Sequence, residues 1–148
     1  MMEKSNETLN DILVVLFNEI MDIEEKAIIT GEFSDISNND MHIIEAVGTD
    51  EPKNMSTIAK ALAVTTGTLT TTMNSLVKKG YAIRQRSEAD RRVVYMSLSD
   101  KGKRAYAQHQ EFHHKMIEAV MKGMGNSEKE ILIGSLNRLR EFFHKYQK

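Results

Sequence analysis

Apolar residues recur at three- and four-residue steps along the first part of the chain, at Leu9, Ile12, Leu13, Leu16, Ile20, Ile23 and Ala27. That spacing places them on one face of an amphipathic helix of about 25 residues ending near Gly31. Ser37 followed by Asp40 forms a capping box for a second helix, which has Met41, Ile43, Ile44 and Val47 and stops at Gly48. The loop T-D-E-P-K-N holds the only proline. Ser56 or Asn54 can cap a third helix with Ile58, Ala59 and Leu62 inside. The next segment is internally contradictory. Thr65, Thr66, Thr68, Thr70, Thr71 and Thr72 favour strand. Yet Leu69, Met73, Leu76 and Val77 mark one helical face, and Gly80 stands where a helix-ending glycine belongs. Periodicity takes precedence over propensity and predicts a helix. Residues 81–86 and 93–98 then read as a hairpin around the polar turn S-E-A-D-R-R. Ser99 caps a fifth helix of roughly 23 residues ending near G-M-G-N. Ser127 with Glu130 makes a capping box for a sixth, containing Ile131, Leu132, Leu136, Leu139 and Phe143.

Two short helices followed by a hairpin, over residues 54–98, is the order of a winged helix-turn-helix. The expected fold is mainly α with a small β-wing (α+β), in one domain over 1–148. Dimerisation is expected in 1–35 and 105–148, and DNA binding in about 37–104. The long end helices are too apolar to stand alone, so they are expected to pack together and against a second copy in a homodimer.

A length of 148 residues fits one domain, and 41% hydrophobic with 28% charged residues fits a soluble globular protein. The absence of cysteine excludes a disulfide scaffold and any thiolate zinc site, and fits a reducing cytoplasm. The N-terminus lacks the basic start and apolar core of a signal peptide. No apolar run reaches the ~20 residues of a membrane span. A cytoplasmic, nucleoid-associated protein without a membrane partner is therefore expected. An enzyme is not: G-x-x-x-x-G-K-[ST] and G-x-S-x-G are absent, there is no cysteine nucleophile, and Asp22, Glu24 and Glu25 lie on one amphipathic helix, where solvated carboxylates are the common case. The ten methionines read as adaptable core, or as the lining of a flexible acyl pocket.

Charge sharpens the picture. The net value is −1, but residues 1–57 hold 3 basic and 13 acidic side chains, while residues 78–104 hold 9 basic and 3 acidic ones. Such segregation is typical of nucleic-acid binders. On the predicted fourth helix, the side opposite Leu69, Met73 and Leu76 holds Gly67, Thr71, Asn74 and Lys78, flanked by Thr68, Thr70 and Ser75. Threonine can exchange a hydrogen bond with a base edge and touch a thymine methyl, and Asn74 can pair with adenine. Thr65 or Thr66, at the helix start, can meet phosphate. Each threonine costs a few tenths of a kcal/mol of helix propensity, so six within eight residues point to a demand other than stability. At the hairpin tip Arg91 and Arg92 can enter a minor groove, deepest in potential over A·T tracts. Asp90 is suited to locking an arginine by a bidentate pair.

The run D-R-R-V-V-Y-M-S-L-S-D-K-G, preceded by L-V-K-K-G-Y-A-I-R, resembles the signature of the MarR family of bacterial transcriptional regulators, and the likeness extends over essentially the whole chain. The resemblance implies a homodimer whose end helices form the interface and whose winged units bind an inverted repeat. It places Thr65, Thr66, Thr68, Thr71, Asn74 and Ser75 at groove-facing positions and makes Asp90 and Arg92 the wing pair; Lys78 and Arg91 extend the DNA-binding set. It also implies a small ligand as effector. F-N-E-I-M-D-I-E-E-K, F-S-D-I-S-N-N-D-M-H-I-I-E-A-V-G and H-Q-E-F-H-H-K-M-I-E are similar to the branch that represses fatty-acid synthesis genes, which implies long-chain acyl-acyl-carrier-protein as corepressor.

His109 and His113 are four apart on one helix, a workable zinc pair. The family resemblance adds Glu24 and His42, completing the main site of its zinc-responsive members. The chain departs from them at a second site, where Thr30, Met41 and Gln108 replace ligands. No resident cofactor is expected; zinc and a long-chain acyl group are the candidate effectors. The alternative is a polar cluster in which His42, His109 and His113 are hydrogen-bonded to Glu24 without metal. An alternative of another class is a helical protein–protein adaptor, which leaves the Thr-rich helix and the wing without a task.

Overall fold

In a computed structural model the backbone is described for residues 2–29 and 32–146, and side chains for 4–27 and 32–146. The expected helix end at Gly31 and the departure at Thr30 lie outside the described residues. Apart from β1, the elements follow the predicted order: α1 (Met2–Ile29), α2 (Asn38–Val47), β1 (Lys53–Asn54), α3 (Met55–Ala61), α4 (Thr66–Lys78), β2 (Ala82–Arg86), β3 (Val94–Leu98), α5 (Asp100–Met121) and α6 (Asn126–Tyr146). Two units divide the chain, Met1–Glu111 and Phe112–Lys148.

The first unit is organised by caps that leave the helices little choice of register. At α2, the Asp40 N–H donates to Ser37 Oγ (3.1 Å) and the Ser37 N–H donates to Asp40 Oδ2 (3.0 Å), the predicted capping box. Gly48 ends this helix at φ +72°, where a Cβ is strained. Asn54, rather than Ser56, caps α3 by accepting from the Thr57 N–H at 2.7 Å. The periodic residues do close a core: Ile44, Val47, Ile58, Leu69, Met73 and Leu76 are buried together with Tyr81, Met96 and Leu98.

The sheet has one strand more than the pattern predicts. β1, read as loop from the sequence, pairs antiparallel with β3 (Lys53 opposite Met96, Asn54 opposite Tyr95), giving the order β1-β3-β2. Two residues are too few for alternation to show. β2 and β3 form the predicted hairpin, with Arg84 opposite Met96 and Arg86 opposite Val94.

A close junction joins α4, the hairpin and α5. Ser99 donates its N–H to the Tyr81 carbonyl (3.0 Å) and its hydroxyl to the Gly80 carbonyl (2.5 Å), and accepts from the Gly102 N–H (3.1 Å), which caps α5 as expected. Gly102 is buried so tightly here that a Cβ would stand 2.1 Å from the Tyr81 carbonyl oxygen.

The apolar stripe of α1 is only partly covered within the chain. Leu13 and Ile20 are half-buried, whereas Leu9, Ile12, Leu16 and Ile23 are 44–57% exposed. In the second unit, Ile117, Val120, Ile131, Ile133, Leu136, Phe142 and Phe143 are likewise exposed. One cap differs from expectation there. α6 starts at Asn126, and the Lys129 N–H donates to the Gly125 carbonyl (3.0 Å), so Gly125 takes the capping position and Ser127 falls inside the first turn.

Candidate nucleic-acid interface

Helix α4 buries Leu69, Met73 and Leu76 and turns Thr66, Gly67, Thr68, Thr70, Thr71, Asn74 and Lys78 outward, with Ser75 half-buried at the margin. The hydroxyls on this face divide by task. Thr65 caps the helix, accepting from the Thr68 N–H (3.1 Å) and meeting the Thr68 hydroxyl at 2.8 Å. Thr70 donates back to the Thr66 carbonyl at 2.7 Å. These bonds secure the helix that threonine propensity weakens. Thr66 and Thr71 remain exposed alongside the Lys78 ammonium, so the side holds donors and acceptors without a large apolar group.

The wing is built as a rigid tip. Arg92 donates from Nε to Asp90 Oδ1 (3.1 Å) and from Nη2 to Asp90 Oδ2 (3.2 Å), the bidentate lock expected of Asp90. The Arg92 N–H also reaches Asp90 Oδ1 (3.1 Å), and the Asp90 N–H reaches Ser87 Oγ (3.3 Å). Arg92 holds the Asp90 carboxyl below its ordinary range. Its own side chain stays 91% exposed, so the pairing orients the guanidinium without hiding it. Arg91 is exposed beside it, its carbonyl accepting from Arg86 Nη1 (3.1 Å).

Arg84 is the residue that pattern reading missed, having counted it only within the basic block. From β2 its Nη2 donates to Asn74 Oδ1 on α4. Strand alternation holds the missing signal: Arg84 shares a sheet face with the buried Ala82 and Met96, the face turned toward α4.

The end of α4 is anchored to the segment between α1 and α2. Tyr81 donates its hydroxyl to Asp35 Oδ1 (2.5 Å), Lys79 Nζ donates to the Asp35 carbonyl (2.6 Å), and Lys101 Nζ lies 4.5 Å from the Tyr81 ring centroid. Burial first, and then the Asp35 carboxylate, push the Tyr81 hydroxyl well above its ordinary range; the Tyr81 hydroxyl in turn holds Asp35 below its own. A raised tyrosine pKa means stability that is present below about pH 10 and lost as pH rises further. Tyr81→Phe should therefore lower urea stability by ~1 kcal/mol at neutral pH and flatten the alkaline fall above about pH 10. An unchanged alkaline limb would place that titration elsewhere.

The histidine set assembles only in part. His109 is buried on α5, with Nε2 at 3.3 Å from Glu24 Oε1 and 2.5 Å from Glu45 Oε1. His113 stands one turn further along α5. His42 is exposed on α2, and Glu45, three residues later, takes the place expected for it beside His109. Of the expected four, the first unit therefore brings together Glu24 and His109. No described helix is long and apolar enough to cross a membrane.

Three kinds of comparison bear on this geometry. The MarR family model matches residues 36–94. Among solved structures, the chain is similar to FabT of Streptococcus pneumoniae in complex with DNA, at 37% identity and a TM-score of 0.88, covering 95% of this chain and 99% of that one. MepR of S. aureus, also in complex with DNA, shares the fold at 17% identity and a TM-score of 0.71. Among curated relatives, the HTH-type transcriptional regulator SarZ of Staphylococcus saprophyticus is 32% identical over 69% of this chain and 70% of its own length. The chain spans 59% and 51% of the Bacillus subtilis HTH-type regulators YhjH and YwaE.

Proposed function

This chain belongs to the MarR family of DNA-binding transcriptional regulators, and on that premise we propose that it is a homodimeric repressor reading an A/T-rich inverted repeat in double-stranded DNA. The observation that bears most weight is the outward side of α4, where threonine hydroxyls, Asn74 and Lys78 are exposed opposite a sealed core. In this scheme Thr66, Thr71, Asn74 and Ser75 meet base edges, and Thr65 and Thr68 hold the helix end toward phosphate. Arg91 and Arg92 enter the adjacent minor groove, with Asp90 as the support of Arg92. The 9 basic against 3 acidic side chains of residues 78–104 favour electrostatic steering of this segment toward DNA. The chain acts as one regulator domain, dimerising through 1–35 and 105–148 and reading DNA through about 37–104, in the cytoplasm and as a regulator rather than an enzyme.

Control of fatty-acid synthesis genes, with acyl-acyl-carrier-protein as effector, is supported by the motif resemblance and by the similarity to FabT. A second scheme, zinc-responsive regulation, is favoured by the buried pairing of His109 with Glu24. Imidazole nitrogen and carboxylate oxygen are fitting zinc donors, and Glu24 and His109 are the two expected donors that the first unit brings together. Native mass spectrometry of protein purified without chelator separates the two schemes, showing a dimer with an acyl-carrier partner or with zinc.

Fluorescence anisotropy on an A/T-rich inverted repeat tests DNA reading itself. Affinity should fall steeply with salt, and Arg92→Ala should weaken binding about tenfold while leaving the fold intact. A helical adaptor would show no sequence-specific binding, and unchanged affinity in Arg92→Ala would remove the wing from the mechanism.

A further inference from the structure

We infer that Arg84 is a positioning residue for base reading: by donating to Asn74 Oδ1, it fixes the Asn74 amide so that its NH2 group is presented to the base. This rests on the DNA-reading scheme above and adds to it a specificity determinant outside the recognition helix.

The chemistry leaves one orientation open. A guanidinium has only donors, and a side-chain amide has one accepting end and one donating end. Arg84 can therefore face only the oxygen of Asn74. The amide nitrogen then lies on the other side of the group, which on α4 belongs to the exposed face with Thr71 and Lys78. A free asparagine samples both flips and either accepts from cytosine or donates to a purine. Held by Arg84, it arrives as a donor, so base edges that accept in the major groove are favoured and cytosine, which offers a donor there, is disfavoured. The amide oxygen keeps a second lone pair. Adenine, with acceptor N7 beside its donor amino group, is the base that satisfies both ends.

Position supports the assignment. Arg84 opposes Met96 in the hairpin, on the sheet face turned toward α4, and it is exposed rather than buried. The ladder of β2 and β3 sets its backbone, so the guanidinium is delivered from a rigid element to the reading helix. The contact also makes the base-reading helix and the wing hairpin one polar unit at the DNA-facing surface.

The test is a double-mutant cycle on the full chain. An operator is first selected from randomised inverted-repeat duplexes, and single-base variants of it are then bound to wild type, Arg84→Ala, Arg84→Met, Asn74→Ala and the double variant Arg84→Ala/Asn74→Ala. Arg84→Met keeps the apolar stem and removes the donors, which guards against lost packing in the wing. At one base pair per half-site, Asn74→Ala should lower discrimination against cytosine about tenfold. Both Arg84 variants should reproduce most of that loss at the same base pair, and Arg84→Ala should add nothing in the Asn74→Ala background. If the Arg84 variants instead weaken all duplexes equally and reduce the salt dependence, Arg84 is a phosphate contact and the inference falls while DNA reading stands. If wild type selects no sequence at all, both fall.

Discussion

Gly102→Ala should destabilise the protein by about 2–4 kcal/mol, even though alanine gains ~1 kcal/mol over glycine at an ordinary helical site. The reason is the atom it meets. A Cβ at this position would stand 2.1 Å from the Tyr81 carbonyl oxygen, 3.1 Å from its carbonyl carbon and 3.2 Å from Leu98 Cβ. A long side chain would swing away, but this neighbour is backbone. The same carbonyl accepts from the Ser99 N–H, and the Tyr81 ring is fully buried. Relief therefore requires α5 to lift from the hairpin, exposing Tyr81 and Leu98. Gly67→Ala is the control, since the new Cβ would have only Thr65 Oγ1 near it, at 4.0 Å; that change should be neutral or stabilising. Urea denaturation of the two variants gives the comparison, and equal midpoints would show that the junction yields more easily than its geometry implies.

The double variant Ile12→Glu/Leu16→Glu should give a folded monomer whose operator affinity is at least a hundredfold weaker. Ile12 is 51% and Leu16 44% exposed, on the stripe with Leu9 and Ile23. Glutamate at exposed helical sites disturbs neither the core of the first unit nor helix propensity. What it opposes is the burial of that stripe against a second copy. Two linked winged units bind two half-sites with an effective concentration that raises affinity by about 10²–10⁴, and a monomer loses that factor. Light scattering reads the mass and circular dichroism reads the fold. A dimer with unchanged affinity would show that the proposed interface lies elsewhere.

Much of the fold was legible because helical periodicity survives unfavourable composition. The segment around Thr70–Thr72 would be a strand by propensity alone; Leu69, Met73 and Leu76 made it a helix because burying them together outweighs a few tenths of a kcal/mol per threonine. Caps with reciprocal partners, such as Ser37 with Asp40, were equally legible. Three features were not. β1 is too short to show alternation, and it exists because β3 offers it an edge. Ser127 carries the letters of a cap, but Gly125 takes the position because α6 starts one residue earlier than Ser127. His42 was expected beside His109, but α2 turns Met41 and Ile44 into the core, which sends His42 outward and leaves Glu45 to approach the imidazole. In the candidate interface, spacing identified the exposed face of α4 and the locked arginine. The Arg84 contact depends on two elements meeting in space, which no local pattern records.

The short pairing of β1 with β3 has a mechanical consequence. It fastens the wing strand to the residue that caps α3, so the hairpin cannot tilt without dragging on the helix pair. The span between wing tip and reading helix thus behaves as a fixed caliper. Under the proposed DNA-reading scheme, duplexes whose grooves already fit that gauge should dock without being bent, and the others should have to take up the distortion themselves, which would make stiffness at untouched base pairs part of what is recognised.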